Sequence, residues 1–324
     1  MQKRRLGKTE MELTTVGLGT WAMGGPWQFG WGEQDDGEAR DAILAALDHG
    51  INWIDTAPVY GLSHSEELIG QALRRTQHKP YIATKCGLLW NDKREKVPCL
   101  DPDSIRRECD ASLERLGVDA IDLYQMHWPD PDEGIEAGWE AMVQLRDEGK
   151  VRHIGVCNYN AAQLERISAI RPPETLQPPY NMIQRKVEDE LLAYCAKHDM
   201  GVVAYSPMSR GLLTGKFTAE RLASLPPDDH RRRSYEFQEP DFSATMELVE
   251  HLKPIAQRNG RTCAQLAISW VLRRPEVTSA IVGARRPDQI AETAQAGDWN
   301  LSSDDIKEID QLMAERDKKL AKTP

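Results

Sequence analysis

Four side chains of chemically useful type fall at or just beyond the ends of short apolar runs. The run Asn52–Thr56 carries Asp55 near its close, and Tyr60 follows in the loop Thr56-Ala57-Pro58-Val59-Tyr60-Gly61. Tyr81–Lys85 ends in Lys85, and Ile121–His127 ends in His127. Lysine and aspartate at the ends of apolar strands are costly to desolvate unless they pair. On adjacent strands Asp55 and Lys85 can do so. A cation beside a phenol favours phenolate, so Lys85 is expected to draw the Tyr60 pKa from about 10 toward working pH. Tyr60 then becomes a general acid for a carbonyl oxygen that gains negative charge. Asp55 would keep Lys85 charged and oriented, while His127 could donate a hydrogen bond to the same oxygen or share in proton delivery. Singly, each residue has a plainer use. Asp–Lys pairs are often structural, a loop tyrosine packs, and a strand-end histidine finds a partner. Together, on three neighbouring strand ends, they point to proton transfer.

Something must bring those ends together. Strand-like runs at Val16–Thr20, Asn52–Thr56, Tyr81–Lys85, Ile121–His127, His153–Val156, Thr175–Tyr180, Val202–Ser206 and Ala280–Val282 alternate with amphipathic stretches. The helical stretches are Gly37–His49, Glu66–Arg75, Pro102–Leu116, Gly134–Glu148, Ala161–Ile170 and Val187–His198. A composite from Ser243 to Arg274 and an eighth at Pro287–Gln295 complete the set. Apolar positions such as Ile43, Leu44 and Leu47 recur at helical spacing and give each helix one buried stripe. Strand-then-helix repetition implies a parallel sheet. An open doubly wound sheet should start with a G-x-G-x-x-G turn. The first run ends Gly17-Leu18-Gly19-Thr20-Trp21-Ala22, with alanine in place of the third glycine and a bulky tryptophan at the approach. Eight units in 324 residues fit a closed (β/α)8 TIM barrel, which needs about 250. Such barrels gather their chemistry at the C-terminal strand ends, where the four residues lie.

Residues 1–324 read as a single α/β barrel domain, with no linker, repeat or low-complexity tract. A small N-terminal hairpin around Thr9–Thr15 is expected to plug the barrel's bottom, and an extra C-terminal helix, Ser302–Lys322, to start at a serine cap. Ser209–Pro240 lacks a strong period and reads as a long loop, either a functional lid or a disordered segment. A net charge of −10 argues against a nucleic-acid surface. No apolar run of membrane length and no leader-like apolar segment occurs, so the expected location is the cytoplasm. The six cysteines lack C-x-x-C spacing and read as reduced thiols, and no metal site is visible. A metal-dependent hydrolase would need clustered His, Asp and Glu at strand ends, where only His127 is offered.

The motifs in order resemble one family. Asn52-Trp53-Ile54-Asp55-Thr56-Ala57-Pro58-Val59-Tyr60-Gly61 with Ser65-Glu66-Glu67-Leu68-Ile69-Gly70 looks like the aldo-keto reductase signature. The resemblance continues through Gly149–Asn158, Ala204–Met208 and Ile281–Arg285, over about residues 4 to 315. It is of the bacterial type, similar to the potassium-channel β-subunit-like branch. It implies Asp55, Tyr60, Lys85 and His127 as a catalytic tetrad and NADP(H) as the favoured cofactor, with NAD(H) as the alternative. Asn158 and Gln177 should bond a nicotinamide carboxamide, since an amide needs both donor and acceptor, and Tyr205 should offer its ring a flat face. Thr20, Trp21, Asp55, Cys157, Ser206, Pro207, Met208, Gly211, Lys216 and Gly283 are expected around the cofactor, the segment up to Lys216 wrapping its pyrophosphate.

Arg285 and Arg286 open the eighth helix, where barrels often hold phosphate. They are expected to read the adenosine 2′-phosphate, with Gln289, Glu292 and Thr293 near the adenine. Two positions depart from the family pattern: Cys157 replaces a serine or threonine before Asn158, and Thr293 replaces an asparagine. Trp21, Trp27, Trp31, Trp90 and Trp128 lie in loops that could line an aromatic substrate pocket or simply bury one another. Arg231-Arg232-Arg233 is a solvated run unless it reaches an anion. The reaction implied is reduction of an aldehyde, ketone or sugar carbonyl. Its alternatives are a sugar or polyol dehydrogenase and a cofactor-binding regulatory subunit with little turnover. No interface, and hence no oligomeric state, is readable.

Overall fold

The computed structural model describes residues 1–321. Its first strands are β1 (Lys3–Arg5), β2 (Glu12–Thr14), β3 (Val16–Gly19), β4 (Trp53–Asp55), β5 (Tyr81–Cys86) and β6 (Leu88–Trp90). There follow β7 (Lys96–Pro98), β8 (Ile121–Met126), β9 (Val151–Cys157), β10 (Thr175–Gln177), β11 (Gly201–Tyr205) and β12 (Val277–Gly283). Strands β3, β4, β5, β8, β9, β10, β11 and β12 pair in parallel in that order and close on themselves. Closure comes where β12 meets β3, with Gly283 opposite Gly19. The expected (β/α)8 barrel is the observed one.

The helices α1 (Asp36–Asp48), α2 (His64–Leu73), α3 (Pro102–Leu116), α4 (Ile135–Asp147), α5 (Ala161–Ser168) and α6 (Leu191–Lys197) return the chain between strands. Beyond them lie α7 (Ala219–Ala223), α8 (Asp241–Arg258), α9 (Cys263–Leu272), α10 (Pro287–Ala294) and α11 (Ser303–Leu320). Their apolar stripes and the outward residues of the strands form one continuous core around the barrel. Sequence marks the starts: Asp35 accepts from Glu38 N to cap α1, and Asp101 before Pro102 caps α3. The predicted composite helix is two helices. Gly260, at φ 65°, ends α8, and a Thr262–Gln265 capping box starts α9.

Inside the barrel a separate cluster stacks Trp53, Ala83, Leu123 and Val203 on Leu6, Met11 and Leu13 from the N-terminal segment. The hairpin β1–β2 therefore plugs the bottom, as expected, although it is wider than Thr9–Thr15, pairing Lys3 with Thr14. Trp53 fills its layer only because Gly17 lacks a side chain; a Cβ there would stand 2.0 Å from the indole. The extra helix α11 is capped by Ser302, and its predicted last residue, Lys322, lies outside the described residues. Residues 209–240 are more organised than their sequence suggests. Short helical turns and α7 bury Leu212, Phe217, Leu225, Phe237 and Phe242 in a cluster of their own. No helix among the described residues is long and apolar enough to cross a membrane, and none of the six cysteines is bonded to another.

Candidate active site

Above the apolar layers of the barrel interior comes a polar one. Asp55 stands opposite Ala83 in the β4–β5 register. Lys85, two residues along β5, shares a face with Ala83 by the strand's period of two. Lys85 Nζ donates to Asp55 Oδ1 at 2.7 Å and to the Thr56 carbonyl at 2.8 Å. The other carboxylate oxygen, Oδ2, accepts from Gln177 Nε2 at 2.8 Å, and Gln177 leans 3.4 Å from Gln125 Oε1. Lys85 is 0% exposed and Asp55 2% exposed, so this is a buried charge pair with its hydrogen-bonding capacity largely filled. Gln125 went unnoticed in sequence, where it is one polar residue among apolar ones.

Tyr60 rests on this layer. Its loop is pressed against the loop after β3, with Gly61 at φ 65° packed so closely on Gly24 that a Cβ would lie 1.9 Å from the Gly24 oxygen. Ala57, Val59 and Leu88 wedge the loop from below, with Trp27 packed against the same cluster. The Lys85 ammonium lies 5.1 Å from the Tyr60 ring centre, and the His127 ring meets it edge to face at 5.7 Å. The four sequence-predicted residues are thus brought together. The expected acidification of the phenol is not observed. Burial pushes Tyr60 up to about 12; Lys85 pulls it down, and Asp55 adds to the rise. The sequence argument weighed the cation and left out desolvation. Burial also works against the Lys85 charge, yet Asp55 and Tyr60 more than offset it, and lysine stays above its ordinary range. His127 is driven well below the histidine norm by burial, then by Lys85 and Lys96, and so is neutral.

The polar layer floors a cavity of about 830 Å³, toward the upper end of the roughly 300–1,000 Å³ usual for ligand pockets. Asn158 sits beside it at φ 65°, donating from Nδ2 to the His127 carbonyl at 2.9 Å and accepting from the Tyr205 hydroxyl at 2.9 Å. Gln177 shows its carbonyl oxygen free of a hydrogen-bond donor among the described residues, its nitrogen being held by Asp55. Ser206, Pro207, Met208 and Gly211 line the next stretch, where Ser206, Ser209 and Arg210 all take left-handed φ. Trp21 and Gly283 also face the cavity. Thr20 and Cys157 do not, contrary to expectation. Thr20 turns inward to the Asp55 carbonyl at 3.0 Å, and Cys157 is buried at the end of β9.

At the far end stand Arg221, Arg231, Arg285 and Arg286, with Lys216, Gln289, Glu292 and Thr293. Arg285 is not free to meet a ligand. Its guanidinium donates to Gln34 Oε1 at 2.5 Å, to the Trp31 carbonyl at 3.1 Å and to the Glu33 carbonyl, clasping the loop after β3. Arg286 pairs with exposed Asp288 at 3.0 Å, and Lys216 with Glu292 at 2.6 Å. Thr293 Oγ1 returns to the Gln289 carbonyl of its own helix at 2.9 Å. Arg231 is no solvated residue: it is 6% exposed, held by Asp229 in a bidentate pair through Nε and Nη2 and stacked 4.4 Å over Trp31. Arg221 has no carboxylate partner among the described residues, only the Lys216 carbonyl at 3.3 Å. Burial lowers its pKa first, and the charges of Arg231 and Arg286 add to the fall.

Two loops roof the cavity. His230 binds the Gly30 carbonyl through both its backbone nitrogen and Nδ1, and its ring lies 4.7 Å from Trp21 and 5.3 Å from Trp31. Burial lowers that imidazole to about 4. Trp21, Trp27, Trp31 and Trp128 line the cavity; Trp90 does not, because it sits on β6 beside a separate shallow depression with Asn91 and Arg94. Elongated, amide-lined near its floor and arginine-lined at its far end, the cavity matches the donors a dinucleotide needs.

A profile of the Aldo/keto reductase family matches residues 15–314. The chain is 38% identical over 316 residues to an aldo-keto reductase of Bacillus subtilis, YhdN, covering 97% of this chain and 94% of that one. It is 35% identical over 320 residues to the NADH-specific methylglyoxal reductase of Escherichia coli, covering 94% and 96%. Among solved structures, a glycerol dehydrogenase from Gluconobacter oxydans superposes with TM-score 0.89 at 37% identity, covering 97% of this chain and 96% of the other.

Proposed function

The chain belongs to the aldo/keto reductase family and is a nicotinamide-dependent oxidoreductase; from that premise we propose that it uses NADPH to reduce the carbonyl of a small aldehyde, ketone or sugar. The observation that carries the reading is the placing of Tyr60 between the Lys85–Asp55 pair and His127, on the floor of a cavity whose far end is rich in arginine. A reduced nicotinamide supplies a hydride to a carbonyl carbon. The protein's part is the proton and the charge. Tyr60 Oη, protonated throughout the physiological range, donates its proton to the carbonyl oxygen as negative charge builds there. Lys85 stabilises the phenolate left behind, and Asp55 keeps Lys85 charged and aimed. Neutral His127 orients the oxygen through one ring N–H, with its backbone held by Asn158.

The Asn158 amide and the Gln177 oxygen would hold a carboxamide beside the Tyr205 ring. The arginine-rich end supports NADPH, because an extra phosphate relieves the mutual repulsion of those guanidinium groups. Arg285 being engaged by the roof, Arg221 and Arg286 are the charges left for that phosphate. The E. coli relative is NADH-specific by name, so this preference rests on this chain's own arginines. Relatives named for methylglyoxal and glycerol support a short, oxygen-rich substrate. The test is a panel of aldehydes, ketones and sugars with each cofactor, read by the loss of reduced-nicotinamide absorbance. The reading requires NADPH oxidation with kcat/KM above that for NADH. Tight cofactor binding without any turnover would replace it with the regulatory-subunit alternative.

A further inference from the structure

Strands β5 and β8 are barrel neighbours, with Lys85 opposite Gln125 and Cys86 opposite Met126, so the segments leaving them rise side by side. The first is the hairpin β6–β7, which pairs Trp90 with Lys96; the second is His127-Trp128. Lys96 is anchored through its backbone nitrogen to Gln28 Oε1 at 2.9 Å, and Leu88 of the same hairpin packs under the Tyr60 loop. Its ammonium lies 6.0 Å from the centre of the Trp128 ring, the cavity-lining indole that is 40% exposed. A partly hydrated ammonium over an indole face is held weakly, enough to orient it but far short of an ion pair.

No carboxylate among the described residues lies within ion-pair distance of Lys96. The acids lining the cavity are accounted for elsewhere. Asp55 is held by Lys85 and Glu292 by Lys216. Glu33, Asp35 and Glu38 belong to the arginine end, where the Glu33 backbone carbonyl binds Arg285, the Asp35 carboxylate caps α1 by accepting from Glu38 N, and the Glu38 charge acts on Arg285 and Arg286. Lys96 is close enough to His127 that its charge contributes to holding that imidazole neutral. The catalytic end therefore presents one unneutralised cation on an aromatic ledge.

We propose that Lys96, seated on Trp128, receives the anionic group of the substrate, so that this enzyme selects small carbonyl compounds bearing a carboxylate or phosphate over their neutral counterparts. The proposal rests on the reductase reading and narrows its substrate class. Trp128 supplies a flat face for the intervening carbon chain, and the Lys96 ammonium a charge-assisted hydrogen bond at its end.

The experiment compares succinic semialdehyde with butanal, and glyceraldehyde 3-phosphate with glyceraldehyde, for wild type and Lys96→Met. A rise in the wild-type ratio for the first pair identifies a carboxylate, for the second a phosphate. The Lys96→Met change should shrink that ratio about tenfold, mainly through KM, the equivalent of one well-placed charge contact, with Lys96→Arg restoring most of it. Added salt should shrink the wild-type ratio and leave that of Lys96→Met unmoved. Equal ratios in wild type and Lys96→Met would overturn the proposal. Succinate quenching of tryptophan fluorescence needs no turnover: saturable in wild type and lost in Lys96→Met supports the site, while an identical response in both sinks it. Butanal and glyceraldehyde turnover by wild type tests the reductase reading separately.

Discussion

At the floor of the cavity Asp55, Lys85, Gln125 and Gln177 stand on four barrel strands and bond one another at 2.7–3.4 Å. At its far end Arg221, Arg231 and Arg285 stand on segments between strands; Arg231 and Arg285 reach across to the loop after β3, and Arg221 bonds within its own segment. The floor is fixed by backbone ladders on either side, so its polar atoms cannot separate without breaking the barrel. The roof is fixed by scattered contacts, mostly from side chains: Arg285 on residues 31–34, His230 on Gly30 through ring and backbone, Arg231 on Trp31. Rigid strands suit a proton transfer that needs fixed geometry, and loops suit a ligand that must enter and leave. The same cavity thus joins a site that should fail abruptly when altered to one that should weaken by degrees.

The largest loss should come from the floor. Tyr60→Phe removes the one proton donor while leaving the ring packed, and should lower kcat about a thousandfold, within the usual range for general acid catalysis. NADPH affinity, measured by fluorescence titration, should change by less than about threefold. Comparable turnover in the variant would strip the phenol of its role. Asp55→Ala should cost stability as well as activity. It leaves the Lys85 charge at 0% exposure without its carboxylate, a change that costs roughly 3–5 kcal/mol. Urea unfolding would show it, and an unchanged midpoint would mean that the pair is not what steadies the floor.

This contrast also separates what could be read in the sequence from what could not. The barrel and the gathering of Asp55, Tyr60, Lys85 and His127 were legible because strand period, helix period and the cost of ending an apolar run in charge are local. Gln125 was not, since its value lies in touching Gln177 from another strand. The roof was illegible for a similar reason. Nothing in Trp31-Gly32-Glu33-Gln34 announces that Arg285 will clasp it, and Arg231 looked like part of a solvated basic run until Asp229 and Trp31 were seen around it. Thr20 and Cys157 do not line the cavity, because family position says which residue is near, not which way its side chain turns. The tyrosine's shift was misjudged by counting one neighbour and no burial.

Smaller effects should distinguish the arginines of the roof. Arg221→Ala should weaken NADPH about tenfold and NADH by less than about twofold, since it removes a charge that has no carboxylate partner among the described residues and faces the cavity. Arg285→Ala should instead weaken both cofactors by a similar few-fold factor, chiefly by faster release, because its bonds hold the roof and not a phosphate. Stopped-flow displacement gives the release rates. If Arg285→Ala spared NADH and impaired NADPH alone, the clasp would be incidental, and Arg285 would regain the phosphate role its position suggests.

The mildest expectation is a flat profile. The proposed reduction needs Tyr60 protonated, and burial holds its pKa at about 12, with Asp55 reinforcing the rise against Lys85. A general acid with a raised pKa is fully protonated below that value, and its contribution is lost as pH climbs through it. His127, lowered well below the ordinary histidine value by burial, Lys85 and Lys96, becomes charged only as pH falls through that depressed value. Between the two, kcat/KM for reduction of a neutral aldehyde should vary by less than about twofold from pH 6.5 to 9, because neither group changes charge there. A steep fall within that window would mean that bound cofactor lowers the phenol far more than the empty cavity does. The sequence's first expectation would then hold for the working enzyme, and the fixed floor would prove to be electrostatically open to the end of the cavity that the roof controls.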